Sequence, residues 1–240
     1  MMEIGDNLTL YELAAGDARV RFSPHCWKIR MALAHKGLEA QCVPWRFSEK
    51  DIIAFSSQDR VPVLVHNQTV ISDSWMIALY LEEQFPDRPS LFGPAETVPL
   101  TRFINSWTDA TLVPALARII LLNVYDCLDV RDRVYFRSSR EARFGMPMEE
   151  VVADQAARVG DLRKALIPLR QLLATEPFVS GSMPAYADYC IFGLFMWAFC
   201  TSSIALLETD DPVFAWRERL FEAFGGMAKR TARANQAHPC

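Results

Sequence analysis

No C-x-x-C pair occurs in these 240 residues, and the six cysteines (26, 42, 127, 190, 200 and 240) follow no zinc-ligand spacing. That pattern excludes a zinc ribbon and a dithiol redox motif, and it implies reduced thiols in place of a disulfide scaffold. G-x-S-x-G, the Walker A pattern and G-x-G-x-x-G are absent as well. The chain therefore carries neither a hydrolase nucleophile elbow nor a phosphate-cradling glycine loop, and no metal is expected. Basic residues are not in excess: 25 Lys and Arg against 29 Asp and Glu leave a net charge of −4. Without a continuous basic stripe there is no electrostatic footprint for nucleic acid. The opening M-M-E-I-G-D has acids where a secretory signal needs bases and lacks an apolar run, so a cytoplasmic location is expected.

Long uncharged runs are scarce. The exception is Tyr189 to Leu207, interrupted by Thr201-Ser202-Ser203 and flanked by Asp188, Glu208, Asp210 and Asp211. Acids at its ends and no Lys or Arg anchors argue for a buried helix of a soluble protein and against a membrane span. What the chain has in quantity is apolar residues, 51% of the total, enough for one large core or two smaller ones.

Taken in order, Leu8 to Leu13 alternate like a strand, and a polar loop follows to Arg21. Pro24 at a first helical position and Ser23 before it read as an N-cap. Trp27, Met31 and Ala34, with Ile29 and Leu33 beside them, give that helix an apolar face, and Gly37 closes it. Ala40 to Phe47 reads as a second strand, and Ser48-Glu49-Lys50 starts a short helix. Val61 to Val65 and Thr69 to Ile71 form a hairpin about His66-Asn67-Gln68. Pro62 belongs at a strand's first residue, at an edge or in a cis turn. Asp73-Ser74-Trp75 caps a helix to Phe85. The resulting β-α-β-α-β-β-α order over residues 1–85 implies a mixed sheet with helices on both faces, an α+β unit. Residues 86–95, rich in proline, read as a linker. From 96 to 240 the pattern is helical only, over about 96–125, 148–174, 185–200 and 212–228. Asp129 to Arg143, with arginines at 131, 133, 137, 140 and 143, reads as a loop with a mixed-sign solvated face; an anion or partner patch is the alternative.

The chemistry-bearing stretch is Ser23-Pro24-His25-Cys26-Trp27, a hydroxyl at a helix N-terminus, where an anion or thiolate is stabilised. An ordinary N-cap is the bland alternative. Tyr11 falls inside the first strand and reads as core. Cys26 would need a cysteine at position 23 to act as a redox pair, and His25 forms no dyad with Ser23 by adjacency alone.

Together with Arg60-Val61-Pro62 and Asp73-Ser74, this pattern resembles the glutathione transferases over nearly the whole chain. The match is to the Ser- and Cys-type classes, closest to the bacterial β-etherase-like and zeta-like branch through the longer first loop and Met31-Ala32-Leu33-Ala34-His35-Lys36-Gly37. The resemblance implies a thioredoxin-like N-terminal domain, an all-helical C-terminal bundle and a homodimer. It implies Ser23 as the residue that activates glutathione, with the Val61-Pro62 backbone on its cysteinyl part. It gives Asp73 and Ser74 to the γ-glutamyl head; for the glycyl carboxylate the basic candidates are Lys50 or Arg46, after the second strand. Phe103 and Trp107 are candidates for the wall of an electrophile pocket, with a place in the core as the equal alternative. Ala185-Tyr186-Ala187-Asp188 keeps the acid of the family's buried-helix cap but lacks its hydroxyl. The reactions implied are thiolate attack on an electrophilic carbon, including aryl-ether cleavage, or a glutathione-dependent isomerisation or dehalogenation. A non-catalytic ligand carrier on the same fold is the alternative of a different class.

Overall fold

Alternation along Leu8 to Tyr11 sends Leu8 and Leu10 to one face of the first strand and Tyr11 to the other. Both faces are covered: Leu8 and Leu10 are in the core, and Tyr11 packs on Phe55 with ring centroids 5.4 Å apart. In the computed structural model, which describes residues 7–234, β1 (Leu8–Leu13), β2 (Gln41–Trp45), β3 (Val63–His66) and β4 (Thr69–Ser72) form one sheet in the order β2-β1-β3-β4. The expectations drawn from M-M-E-I-G-D and from Cys240 lie outside the described residues. β1 runs parallel to β2 and antiparallel to β3. The parallel pair needs a crossover, which α1 (Pro24–Lys36) supplies. The β3–β4 pair needs only a tight turn, with Asn67 at φ 55°, a conformation asparagine tolerates. A 3₁₀ segment (Lys50–Ser56) and α2 (Ser74–Gln84) complete the unit. This is the expected mixed sheet of a thioredoxin-like domain. β3 starts later than the apolar pattern suggests, so Pro62 precedes the strand and stays out of its ladder.

The helical half comprises α3 (Val98–Trp107), a π-helical turn (Thr108–Leu112), α4 (Val113–Cys127), α5 (Val130–Phe144), α6 (Met148–Val151), α7 (Gln155–Ala165), α8 (Ile167–Leu173), α9 (Tyr186–Thr201) and α10 (Pro212–Gly226). α10 leaves helical geometry at Ala223, Phe224 and Gly225. The expectation of a loop over Asp129–Arg143 is corrected: the segment is α5, capped by Asp129, whose carboxylate accepts from Arg131 N at 3.0 Å, and closed by Gly145 at φ 70°. Its inner face runs Asp132, Phe136, Arg140, Phe144. Two of those four are charged, so hydrophobic periodicity does not show it.

As far as Thr201 the uncharged run is a core helix. Every residue of α9 except Trp197 and Phe199 is buried, with α1 and α3 packed against it. The helical run from 95 to 127 is also long and apolar enough to cross a membrane. It packs on α7 and α9 and turns Asn105 into the interior. The linker is fastened to this core: Leu91 and Phe92 are buried, Tyr186 N donates to Leu91 O at 2.9 Å, and Leu91 N donates to Glu82 at 2.9 Å.

The start of α9 shows how the missing hydroxyl at Ala185 is offset. Alanine offers no side-chain acceptor, so only half of a capping box survives, Ala185 N donating to Asp188 Oδ2 at 3.2 Å. The buried Asp188 also accepts from Ser180 N (3.1 Å), Val179 N (2.8 Å) and Trp216 Nε1 (2.8 Å). Asp188→Asn would turn one acceptor oxygen into an NH₂ facing two N–H donors. Leaving buried donors unsatisfied is expected to cost about 2 kcal/mol, read as a lower urea midpoint at unchanged slope.

Candidate functional site

Ser23 reaches its position through a closed loop. After β1, Ala14 bridges Arg21, Ala15 N donates to Val20 O at 3.0 Å, and Trp27 Nε1 pins Arg21 O at 2.8 Å. The chain then enters α1 with Ser23 as N-cap, its Oγ accepting from Cys26 N at 3.3 Å. A hydroxyl that accepts one bond keeps its proton to donate. Ser23 and Val61 line one cavity of about 400 Å³, between the sheet domain and the helices. Val61 precedes the cis Val61–Pro62 bond, and Asp59 and Arg60 pair with each other at 3.1 Å near it.

The other groups on this helix start are quiet. Cys26 is buried, and burial pushes its thiol up to about 12. His25 lines the cavity with Nδ1 3.8 Å from Asp109. Burial, then the Lys28 ammonium, lowers its pKa to about 4, so the ring is neutral at pH 7. No hydrogen bond joins it to Ser23 among the described residues. Tyr11 stays in β1 against Phe55 and does not line the cavity.

The Asp73–Ser74 pair sits at the start of α2. Asp73 is the N-cap at φ 73°, and its Oδ1 accepts from both Trp75 N (2.9 Å) and Met76 N (3.2 Å). Those two amides are thereby used, so the helix start offers a ligand the Ser74 N–H and hydroxyl, and Asp73 keeps Oδ2. Ser74 is held from the helical half, its carbonyl accepting from the buried Tyr186 hydroxyl at 2.7 Å. Asp73 and the buried Ser74 are both outside the cavity lining, but Asp73 is close enough for its charge to raise the pKa of His25, against the net fall. Lys50 is also outside the lining, with Nζ 5.3 Å from the ring centroid of Tyr135, which is part of it. Arg46, the alternative to Lys50, is committed elsewhere. It donates to Ala15 O and Gly16 O, each at 3.1 Å, and pairs with Glu49 at 3.2 Å.

Phe103 and Trp107 do not join this cavity. They line a separate groove with Leu169, Leu172, Val179 and Ile191. On α3 it is Thr101 and Asn105 that turn inward, and Phe103 is 66% exposed. The wall opposite Ser23 comes instead from Val113, Ala117, Leu121 and Val124 of α4 and from Tyr135, Phe136, Arg140, Arg143 and Phe144 of α5. Trp45, Phe47 and Trp197 complete it. The α4 residues recur at helical spacing, but a wall facing a cavity and a face packed on a neighbour give the same apolar stripe.

One polar anchor under the site has no sequence signature. Lys28, fully buried on α1, donates to Asn105 Oδ1 at 2.9 Å and pairs with Asp109 at 2.7 Å. Asn105 Nδ2 donates in turn to Asp109 Oδ2 at 3.3 Å. Asp109 belongs to the π-helical turn, a local departure from α geometry often found at functional sites. Lys28 thus ties the helix carrying Ser23 to the helical half.

Comparison with known proteins agrees with this architecture. Residues 18–89 match the glutathione S-transferase N-terminal domain, and residues 99–205 the C-terminal domain. Glutathione S-transferase U28 of Arabidopsis thaliana is 30% identical over 207 residues, covering 83% of this chain and 81% of that protein. The probable glutathione S-transferase GSTU1 of Oryza sativa subsp. indica is 29% identical over 146 residues, 58% of this chain and 59% of that protein's length. The chain thus spans little more than half of that rice relative. A glutathione S-transferase of Ceriporiopsis subvermispora, solved in complex with glutathione, superposes with a TM-score of 0.82 at 24% identity, over 91% of this chain and 98% of that one. The cavity lies between two domains that both match, and with these relatives the chain belongs to the glutathione S-transferase family.

Proposed function

We propose that the protein is an enzyme that binds glutathione, stabilises its thiolate at Ser23 and directs it at an aromatic electrophile. The observation that carries this reading is that Ser23, an N-cap hydroxyl with a proton to donate, shares one cavity with Val61 and an aromatic wall. A glutathione complex on the same fold in the Ceriporiopsis protein supports the choice of thiol. The Val61 backbone beside Pro62 pairs with the cysteinyl unit. Ser74 takes the γ-glutamyl carboxylate and Asp73 its ammonium, since an oxygen left free and a helix-start N–H match those charges. Lys50 takes the glycyl carboxylate. The thiol proton leaves to water, a C–S bond forms, and the leaving group departs with the electron pair of the bond that breaks. The Ser-type site and aromatic walls favour the β-etherase-like branch, in which that leaving group is an aryloxide. Family membership and the exposed Val70, Met76, Leu100 and Phe103 support a homodimer, placed in the cytoplasm.

Titration of glutathione with the protein, following thiolate ultraviolet absorbance against pH, tests the reading. A thiol pKa near 6.5, against about 8.5 free, is the expected result. Absence of binding would overturn it and leave a carrier of other ligands.

A further inference from the structure

Five arginines lie on α5, and the structure divides them. Arg131 pairs with Asp129 at 3.0 Å, Arg137 with Glu141 and Glu149 at 3.0 and 2.9 Å, and Arg133 donates to Asp126 O at 2.8 Å. Arg140 and Arg143, the two that line the Ser23 cavity, have no carboxylate partner among the described residues. Arg140 donates to Ser139 Oγ at 3.0 Å and otherwise lies on rings, 4.6 Å from the Phe136 centroid and 5.9 Å from that of Phe47. The one carboxylate in the lining, Asp59, is already paired with Arg60. Like charges three residues apart on one helix repel, and burial followed by the Arg143 charge makes the Arg140 guanidinium easier to deprotonate than usual. A planar guanidinium pressed on aromatic rings suits a flat anion, with which it makes two parallel bonds.

We propose that the electrophile this cavity accepts is an aromatic anion, an aryl carboxylate or sulfonate, held by Arg140 and Arg143 with its ring against Phe47 and Phe136. The proposal rests on the transferase reading for its chemistry but not for its binding site. Lys50, outside the cavity lining, keeps the glycyl carboxylate.

The test compares para-chloro-meta-nitrobenzoate with its methyl ester as electrophiles. In both, the thiolate sulfur attacks the chlorine-bearing carbon, the C–S bond forms, and chloride leaves with the electron pair of the C–Cl bond. Wild type, Arg140→Gln/Arg143→Gln and Arg140→Lys/Arg143→Lys are assayed. The acid-to-ester ratio of kcat/KM is expected to fall about tenfold or more in the glutamine variant, mainly through KM for the acid, and to be largely retained with lysine. An unchanged ratio overturns the proposal. So does a rise in the KM for glutathione of equal size with both electrophiles, which would give the arginines to the tripeptide. If wild type turns over neither compound although it binds glutathione, the transferase reading fails on its own. Acid binding, followed by quenching of the lining Trp45 and Trp197, then decides the anion site: tight binding lost in the glutamine variant supports it, and binding equal in both overturns it. Arg143→Gln alone, at an exposed position, keeps the comparison available if losing the stacked Arg140 unfolds α5.

Discussion

Ser23→Ala is expected to lower kcat/KM with glutathione by roughly 10- to 150-fold below pH 6.5, the loss of a hydrogen bond worth about 1.5–3 kcal/mol to a charged acceptor. The size follows from what the site must supply. Moving a thiol from about 8.5 to about 6.5 takes roughly 2.7 kcal/mol. One charge-assisted bond of about 1.5–3 kcal/mol and a helix N-terminus worth about 0.3–1 kcal/mol together reach that figure. No general base is then required, consistent with a neutral His25 that does not bond to Ser23. The pH dependence carries the sign. Wild-type activity rises through the depressed thiol pKa near 6.5, and the variant's rises through a value closer to 8.5. The defect is therefore largest in acid and narrows above both values. A loss equal at every pH would mean that Ser23 serves only as the cap that accepts from Cys26 N. The cap is worth about 0.5–2 kcal/mol of stability and is lost in either case, so the pH profile, and not the thermal melt, separates the two.

Much of this architecture is legible in the sequence because local signals agree with one another. Ser23 before Pro24, Gly37 after Lys36 and Asp73 before α2 mark helix ends by chemistry that depends on neighbours alone. Segments whose surroundings lie elsewhere in the chain are harder to read. The inner face of α5 holds Asp132 and Arg140, the first because Phe47 N and Ser48 N donate to it at 3.3 and 2.8 Å, the second because a cavity lies there. Neither partner is near in sequence. Phe103 and Trp107 show the converse: large aromatics on a helix name a contact but not the cavity it serves. Nothing in the sequence around Lys28 marks it as structural, and only Asp109, 81 residues on, makes it the pin of the domain junction. Arg46 and Lys50 both carry a positive charge after the second strand, and what separates them is that two loop carbonyls already occupy Arg46.

Gly193→Ala is expected to destabilise the protein by about 3 kcal/mol or more, the upper end for overpacking a close-packed interior, and to reduce activity beyond that loss. Helix propensity alone predicts the opposite sign, since alanine is favoured over glycine inside a helix by about 0.8–1 kcal/mol. The contact reverses it. A Cβ at 193 would stand 2.3 Å from Pro24 O and 3.2 Å from Pro24 C, backbone atoms that no side-chain rotation can remove. α9 and the start of α1 must separate, and Ser23 is bonded directly to Pro24, so the displacement passes to the hydroxyl meant to meet the thiolate. Gly160 in α7 is the internal control: a Cβ there meets nothing within 4 Å, so Gly160→Ala should gain about 0.5–1 kcal/mol by propensity. Denaturant unfolding of the two variants should shift the midpoints in opposite directions. If both rise, α1 and α9 are not in backbone contact at Pro24, and Gly193 does not fix the position of Ser23. If only Gly193→Ala falls, and its thiol pKa with glutathione also rises toward that of free glutathione, the packing of α9 is part of what makes Ser23 a thiolate donor site.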